Sequence, residues 1–500
     1  MLFFVRNAVV LQIFLLTMAY AWIDGGTRPD FLLAAVPWLA AFVIEMMLIF
    51  PQARSSESLR EARVRVWDSL THDPMFYATL LFTAYLIFPI FNVAGAPVFD
   101  PATSTWSSPK PPISWVPSCV RQDEQAVLLL WFPPVLFSAL AAKHALLKRG
   151  KRILLECFCW NGAALSILGF WQLLTHAKGI YWVFVRDINS HFFATFGYPN
   201  FAGSFFTLLF VISLGIWFGS FMDGVVGPRA GNGKRGKDET TFWKSYRMLI
   251  PTVLNFLGAF GTLSRAAMLL SAVCLLAYGL YMVVGVWQAS AGVGKAKMGI
   301  AAAVVLLFGG LGTTILAPQA LKAELDTITV PAVLDRVSGA GYHNRIAREI
   351  FVDHMKFGVG GWGYVHYQQQ YMTPEDKKHI QTVGGANVHN DTLQFLAEFG
   401  LVGFSLLVLC LLGILVPVIL ELVSFSRKIK KFPAAGGSQI PKPNWFYRLP
   451  PEVVAVFLGC TANIIHSLGD CPFRTPANQI IWFCALVCMT GYIPRLRHSS

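Results

Sequence analysis

The side chains best suited to chemistry in this 500-residue chain gather between Tyr342 and Phe404. The stretch holds HNRIAREIFVDHMKFGVGGWGY (His343–Tyr364) and, past a polar insert, VHNDTLQFLAEFGLVGF (Val388–Phe404). Its first part has helical periodicity, with Ile346, Ile350, Phe351 and Met355 on one face. Arg345 and Arg348 sit three apart on a neighbouring face. Asn390 or Asp391 can cap the helix that follows, which places His389 at its N-terminal mouth. An imidazole there is a candidate catalyst or a structural residue of the loop, and spacing leaves both readings open. Arg265, in GTLSRAAMLL between two apolar runs, is another candidate. A charge at the end of a membrane helix is costly unless it snorkels or has a partner, so it marks a functional position or an interfacial anchor.

Several chemistries are excluded by spacing. The five histidines of the stretch (His343, His354, His366, His379, His389) form no i,i+4 pair and no HExxH, and no Cys joins them, so no metal site is expected. GVGGWGY follows a helical pattern rather than a strand and lacks the Gly-Lys-Ser/Thr ending of a phosphate-binding loop. It reads as a turn that returns the chain to the membrane. There is no G-x-S-x-G elbow and no Asp-x-Asp pair in the outer loops.

These residues must be positioned by membrane helices. The chain is 55% hydrophobic and only 13% charged, with a mean hydropathy of +0.53. A soluble domain has about 25% charged residues. Apolar runs lie at 7–23, 31–50, 76–95, 124–142, 153–174, 201–221, 248–263, 266–287, 298–318, 396–422, 451–468 and 476–494. Each is near the ~20 residues that a helix needs to cross a bilayer. The expected fold is therefore all-α and polytopic, about twelve spans in one membrane domain over 1–500, with a large, mainly helical loop at 319–395. The first run also fits a cleavable leader, with Arg6, an apolar stretch and Ala19-Tyr20-Ala21.

The net charge of +13 raises nucleic acid as a partner, but its distribution argues against it. Lys and Arg concentrate in alternate loops, at 51–75, 143–152, 222–247, 295–297, 423–450 and 495–497. That alternation is the positive-inside pattern, and it puts both termini in the cytoplasm and 319–395 outside. Gly/Pro-rich segments at 222–241 and 432–445 read as cytoplasmic linkers, and the Pro-rich segment 96–120 as an outer cap. Most of the nine Cys lie within apolar runs; Cys119 and Cys471 fall in outer loops, where an oxidising compartment would allow them to pair. A transporter would carry charges within its spans, and Glu45 and Glu156 are the clearest of few; no internal repeat is visible.

In their order, these pieces resemble the bacterial O-antigen ligase/polymerase family of Wzy_C-like membrane glycosyltransferases. The resemblance rests on the Ser264-Arg265 hairpin, a span, and a large outer loop opened by Asn344-Arg345. The loop continues through the Gly-rich turn and closes with His389-Asn390, Leu393, Glu398, Gly400, Leu401 and Gly403. FGYPN at 196–200 is similar to the family's segment before the sixth span, so the ligase-like region runs over about 196–404. Two positions depart from the family pattern: no Trp follows the loop Arg before Trp362, and Asn387 stands two before His389.

The resemblance implies a GT-C-like enzyme of the bacterial inner membrane. It would move a glycan from an undecaprenyl-pyrophosphate carrier to an acceptor, a lipid A-core-like sugar, at the periplasmic face. The same family includes polysaccharide polymerases and protein O-oligosaccharyltransferases. It implies no metal and no cofactor, an inverting displacement, and contact with membrane lipid. His389 would be the base, since imidazole titrates near neutrality. Arg265, Arg345, Arg348 and Arg474 would bind the pyrophosphate, which guanidinium groups hold through paired hydrogen bonds. Asn390, Asp391, Glu398 and Asp470 would support them.

Overall fold

The computed structural model describes residues 7–184, 191–226, 246–289, 341–377, 387–431 and 449–493. Among these the chain is helical almost throughout. Its elements are α1 (Ala8–Trp22), α2 (Pro29–Ile49), α3 (Leu59–Thr71), α4 (Pro74–Ile87), α5 (Gln122–His144), α6 (Lys148–Leu174), α7 (Pro199–Val226), α8 (Leu249–Gly261), α9 (Arg265–Ala289), α10 (Tyr342–Asp353), α11 (Gly363–Tyr371), α12 (Asp391–Lys431), α13 (Pro451–Ser467) and α14 (Pro476–Cys488). A two-stranded antiparallel hairpin, Val98–Asp100 with Thr105–Ser107, lies in the Pro-rich cap between α4 and α5.

Among the described residues, seven helices are long and apolar enough to cross a membrane: α2, α4 with its 3₁₀ extension, α5, α6, α7, α9 and α12. The shorter apolar helices α1, α8, α13 and α14 occupy four further runs. Eleven of the twelve expected runs are thus helices; the run at 298–318 lies outside the described residues. His379 and nearly all of both Gly/Pro-rich segments also lie outside them.

The centre of the bundle is α7, which packs against α6, α8, α9 and α13. It is apolar all round, as a fully enclosed helix must be, with Phe205, Phe206, Leu209 and Phe210 on different faces and all buried. Its start also carries Asn200, close to the loop after α13. A second group, α4, α5 and α12, carries α10 and α11: α12 packs on α4 and α10 packs on α12.

α3 occupies the segment read only as a cationic loop. Ser58 and Glu61 form a reciprocal capping box, and Ala62, Val66 and Leu70 bury one face at four-residue spacing. Val64 and Trp67 are exposed on the opposite side.

The Gly-rich turn is a backbone stitch. Helix α12 breaks at Gly400 (φ 60°, ψ −170°), a conformation open essentially to glycine alone. The turn after α10 docks into that break: Val359 and Gly360 N–H donate to Ala397 and Glu398 C=O (3.0 and 2.9 Å). Leu401 and Val402 N–H donate back to Met355 and Lys356 C=O (2.8 and 3.2 Å). The Tyr85 hydroxyl bonds the carbonyls of both Phe357 and Phe399, at 2.8 and 2.6 Å. The loop is thereby fixed to the helix that His389 directly precedes.

Cys119 and Cys471 do not pair. Both thiols are free and buried, and each is engaged elsewhere, Cys119 with the Pro89 carbonyl (3.0 Å) and Cys471 with Asp470 Oδ1 (3.4 Å). Cys119 lies in the cap against Gly360, whereas Cys471 lies beneath His389.

Candidate active site

His389 is held in the left-handed region (φ 57°) at the start of α12. Such backbone is uncommon for a residue with a side chain and needs support from its surroundings. On one side the Val388 N–H donates to Gln394 Oε1 (3.1 Å), and Gln394 Nε2 reaches Asn387 Oδ1 and Glu398 Oε1 (3.3 and 3.1 Å). On the other, Asn390 caps the helix, accepting from Leu393 N–H (3.1 Å) while its amide donates to Leu468 C=O (3.1 Å). Asp391 accepts from Phe473 N–H (2.9 Å). The mouth of α12 and the 468–474 loop are therefore clamped together.

That clamp presents Asp470 to the half-buried imidazole. Asp470 Oδ1 lies 3.4 Å from His389 Nδ1. Asp470 is buried and also accepts from the Cys471 N–H (2.7 Å), the Tyr198 hydroxyl (3.1 Å to Oδ2) and the Asn200 amide. Burial alone would push its carboxyl up. The His389 contact, the field of His466 and the Cys471 N–H outweigh burial and hold it well below the usual carboxylate range. An ionised carboxylate only accepts, so it is Nδ1 of His389 that carries the proton facing Asp470, and in the neutral ring Nε2 would be the accepting nitrogen. The His389 side chain is 43% exposed, whereas that of Asp470 is buried.

The network continues to the Ser-Arg hairpin. Asn200 Oδ1 accepts from the Ser264 hydroxyl (2.5 Å). Leu263, in the left-handed region (φ 56°), makes the tight turn between α8 and α9, and the half-buried Arg265 opens α9. The five residues His389, Asp470, Tyr198, Asn200 and Ser264 thus form one connected group that ends beside Arg265. His343 adds a second imidazole: its ring centroid is 5.8 Å from that of His389, and its Nδ1 is 2.7 Å from the Tyr364 hydroxyl.

The other sequence candidates are placed differently. Arg345 is engaged within the loop, where Glu349 (2.7 Å), Asp376 and the Tyr371 carbonyl hold its guanidinium. Arg348 is exposed on α10. Arg474 is buried and paired with the equally buried Glu398, with its guanidinium 5.2 Å from the Trp362 ring and 5.5 Å from Phe395. Its Nε and Nη1 have no hydrogen-bond partner. Sequence reasoning missed His343, Tyr198 and Asn200 as site residues. The FGYPN segment was a usable signal for the latter two; His343 had none beyond its count among the loop histidines.

His389, Asp470 and Cys471 offer ligand atoms within 4.8 Å of one another, the one grouping among the described residues that could hold a metal ion. Spacing did not reveal it, because two of the three come from the loop after α13.

Residues 250–408 match the family model described as O-Antigen ligase. Over that stretch the chain is similar to O-antigen ligases. A search of curated proteins finds no match. The matched region runs from α8 through α9, α10 and α11 into α12, so it contains Arg265, Arg345, Arg348 and His389. The family is one of glycosyltransferase-like membrane enzymes and implies lipid-linked glycan substrates. Tyr198, Asn200, Asp470 and Arg474 lie outside the match, on α7 or the segments before it and after α13.

Proposed function

We propose that this protein transfers a glycan from an undecaprenyl-pyrophosphate carrier to the hydroxyl of an acceptor sugar of lipid A-core type. The reaction would take place at the periplasmic face of the bacterial inner membrane, with both termini cytoplasmic. The observation that carries the reading is the His389–Asp470 pair, connected through Asn200 and Ser264 to the Arg265 hairpin. His389 Nε2 takes the acceptor's hydroxyl proton as its oxygen attacks the anomeric carbon. The bond from that carbon to the pyrophosphate breaks, and the carrier pyrophosphate leaves with the electron pair. One displacement inverts the anomeric centre.

Arg265 stabilises charge developing on the leaving pyrophosphate, which needs no metal when cations are already placed. Arg345 and Arg348, on the outer-loop helix, join it when substrate draws Arg345 from its carboxylates. Arg474 acts from beneath, against Trp362. Asn390, Asp391 and Glu398 hold the mouth of α12 and the 468–474 loop in register.

The test is transfer by purified wild type and His389→Ala from a lipid-pyrophosphate-linked glycan to a panel of acceptors, in chelator. Transfer by wild type, lost in the variant while the donor still binds, is the expected result. Transfer that requires an added divalent ion would overturn the metal-free mechanism, and transfer retained by His389→Ala would overturn the base. The acceptor that works separates ligase from polymerase or protein glycosylation.

A further inference from the structure

We propose that Asn200 is a positioning residue that joins the Arg265 hairpin to the His389–Asp470 pair, so that donor binding and base activation share one rigid connection. The inference rests on the proposed transferase reading. Its basis is the two-sided use of one amide: Asn200 Oδ1 accepts from Ser264 Oγ at 2.5 Å, while Nδ2 donates to Asp470 Oδ2 and to the Tyr198 hydroxyl, the latter at 3.0 Å. Asn is suited to this, since its amide alone among short side chains offers an acceptor and two donors at fixed separation.

The connection is stiffened along α7. One turn after Asn200, Gly203 lets α7 approach the hairpin so closely that a Cβ there would stand 2.5 Å from Ala267 Cβ and 2.9 Å from Ser264 Cβ. A further turn on, the Thr207 hydroxyl lies 2.9 Å from the Ser271 hydroxyl. Asn200, Gly203 and Thr207 fall on one helix face and match Ser264, Ala267 and Ser271 on α9. On the other side Asp24 Oδ1 accepts from Gly197 N–H (2.8 Å), which fixes the segment entering α7. A shift of the hairpin on binding pyrophosphate would thus be felt at Asp470.

The chemical consequence has a sign. The Asn200 amide draws negative charge from Asp470. Without it, the carboxylate presents more charge to His389 and favours the protonated imidazole, which cannot accept the hydroxyl proton. Asn200→Ala should therefore lower kcat roughly 10-fold and move the acid limb of the pH–rate profile upward by about half a unit. Ser264→Ala, which keeps the amide on Asp470 but cuts the link to the hairpin, should raise the donor KM and leave the acid limb in place.

The measurement is glycan transfer against pH for wild type, Asn200→Ala, Ser264→Ala and His389→Ala, with Asn200→Ser replacing Asn200→Ala if the latter does not fold. An acid limb that moves in the Asn200 variant alone supports the proposal. An inactive His389→Ala alongside an Asn200 variant whose acid limb matches wild type overturns the positioning role and leaves the base intact. An active His389→Ala overturns the base reading and the positioning role with it. A purely structural Asn200 would reduce yield or thermal stability without moving the limb.

Discussion

Asp470 Oδ1 stands 3.4 Å from His389 Nδ1, although 81 residues separate them. The carboxyl is held below its ordinary range in the folded protein. A group with a depressed folded value adds stability above its unfolded value, about 4 for Asp, and loses it as pH falls through the folded value. Thermal melts of wild type and Asp470→Asn should therefore differ above about pH 5 and converge only as pH falls below about 4. The asparagine can also donate to Nδ1, which favours the other tautomer, so transfer should fall by about 100-fold or more across the neutral range. Curves that converge between pH 5 and 7 would mean that Asp470 is not the depressed carboxylate.

Arg474 and Glu398 form an ion pair with both side chains almost entirely removed from solvent. Removing one partner leaves the other buried and uncompensated, at a cost of about 3–5 kcal/mol, whereas replacing both by apolar residues is often neutral or better. Arg474→Ala and Glu398→Leu should each lower the melting temperature sharply, and Arg474→Met with Glu398→Leu should recover most of it. The double variant also separates two roles for Arg474. Stable but inactive protein would place its charge in pyrophosphate binding, and stable, active protein would limit it to the clamp. A double variant no more stable than either single would show that the pair is not an isolated electrostatic unit.

The spans were legible because each needs many apolar residues in a row, and eleven of the twelve runs are helices. The mouth of α12 was legible for a local reason: Asn390 is followed at the third position by the N–H it caps. α3 was missed although Ser58, Glu61 and the Ala62–Val66–Leu70 spacing were in view, because its arginines drew attention to charge and away from period. The contacts that define the site could not be read in this way. Asn200 meets Asp470 across 270 residues, and Arg345 meets Asp376 rather than a free anion-binding space. No periodicity encodes such meetings; they follow from how α7, α12 and α13 pack. Cys119 and Cys471, whose pairing the sequence left open, stay apart for the same reason, since each lies in its own niche.

Gly358 and Gly400 meet at the stitch between the outer loop and α12, and each is constrained twice. Their φ values are +68° and +60°. A Cβ on Gly358 would stand 2.3 Å from the carbonyl carbon and oxygen of Glu398, and one on Gly400 would stand 2.5 Å from Gly358 N. The obstructing atoms are backbone, so neither clash is relieved by a rotamer change. Gly358→Ala and Gly400→Ala should each cost roughly 3 kcal/mol or more, combining backbone strain with loss of the inter-segment hydrogen bonds. Gly341, also in the outer loop, has φ −59° and only Asn344 Nδ2 at 3.8 Å from its would-be Cβ, so Gly341→Ala should stay within about 0.5 kcal/mol. Thermal melts of the three variants in one detergent decide the matter. Because the stitch fixes the helix that presents His389, the two destabilised variants should also lose transfer at temperatures where the spans remain folded. Melting and activity indistinguishable from Gly341→Ala would mean that the loop reaches α12 by some other contact.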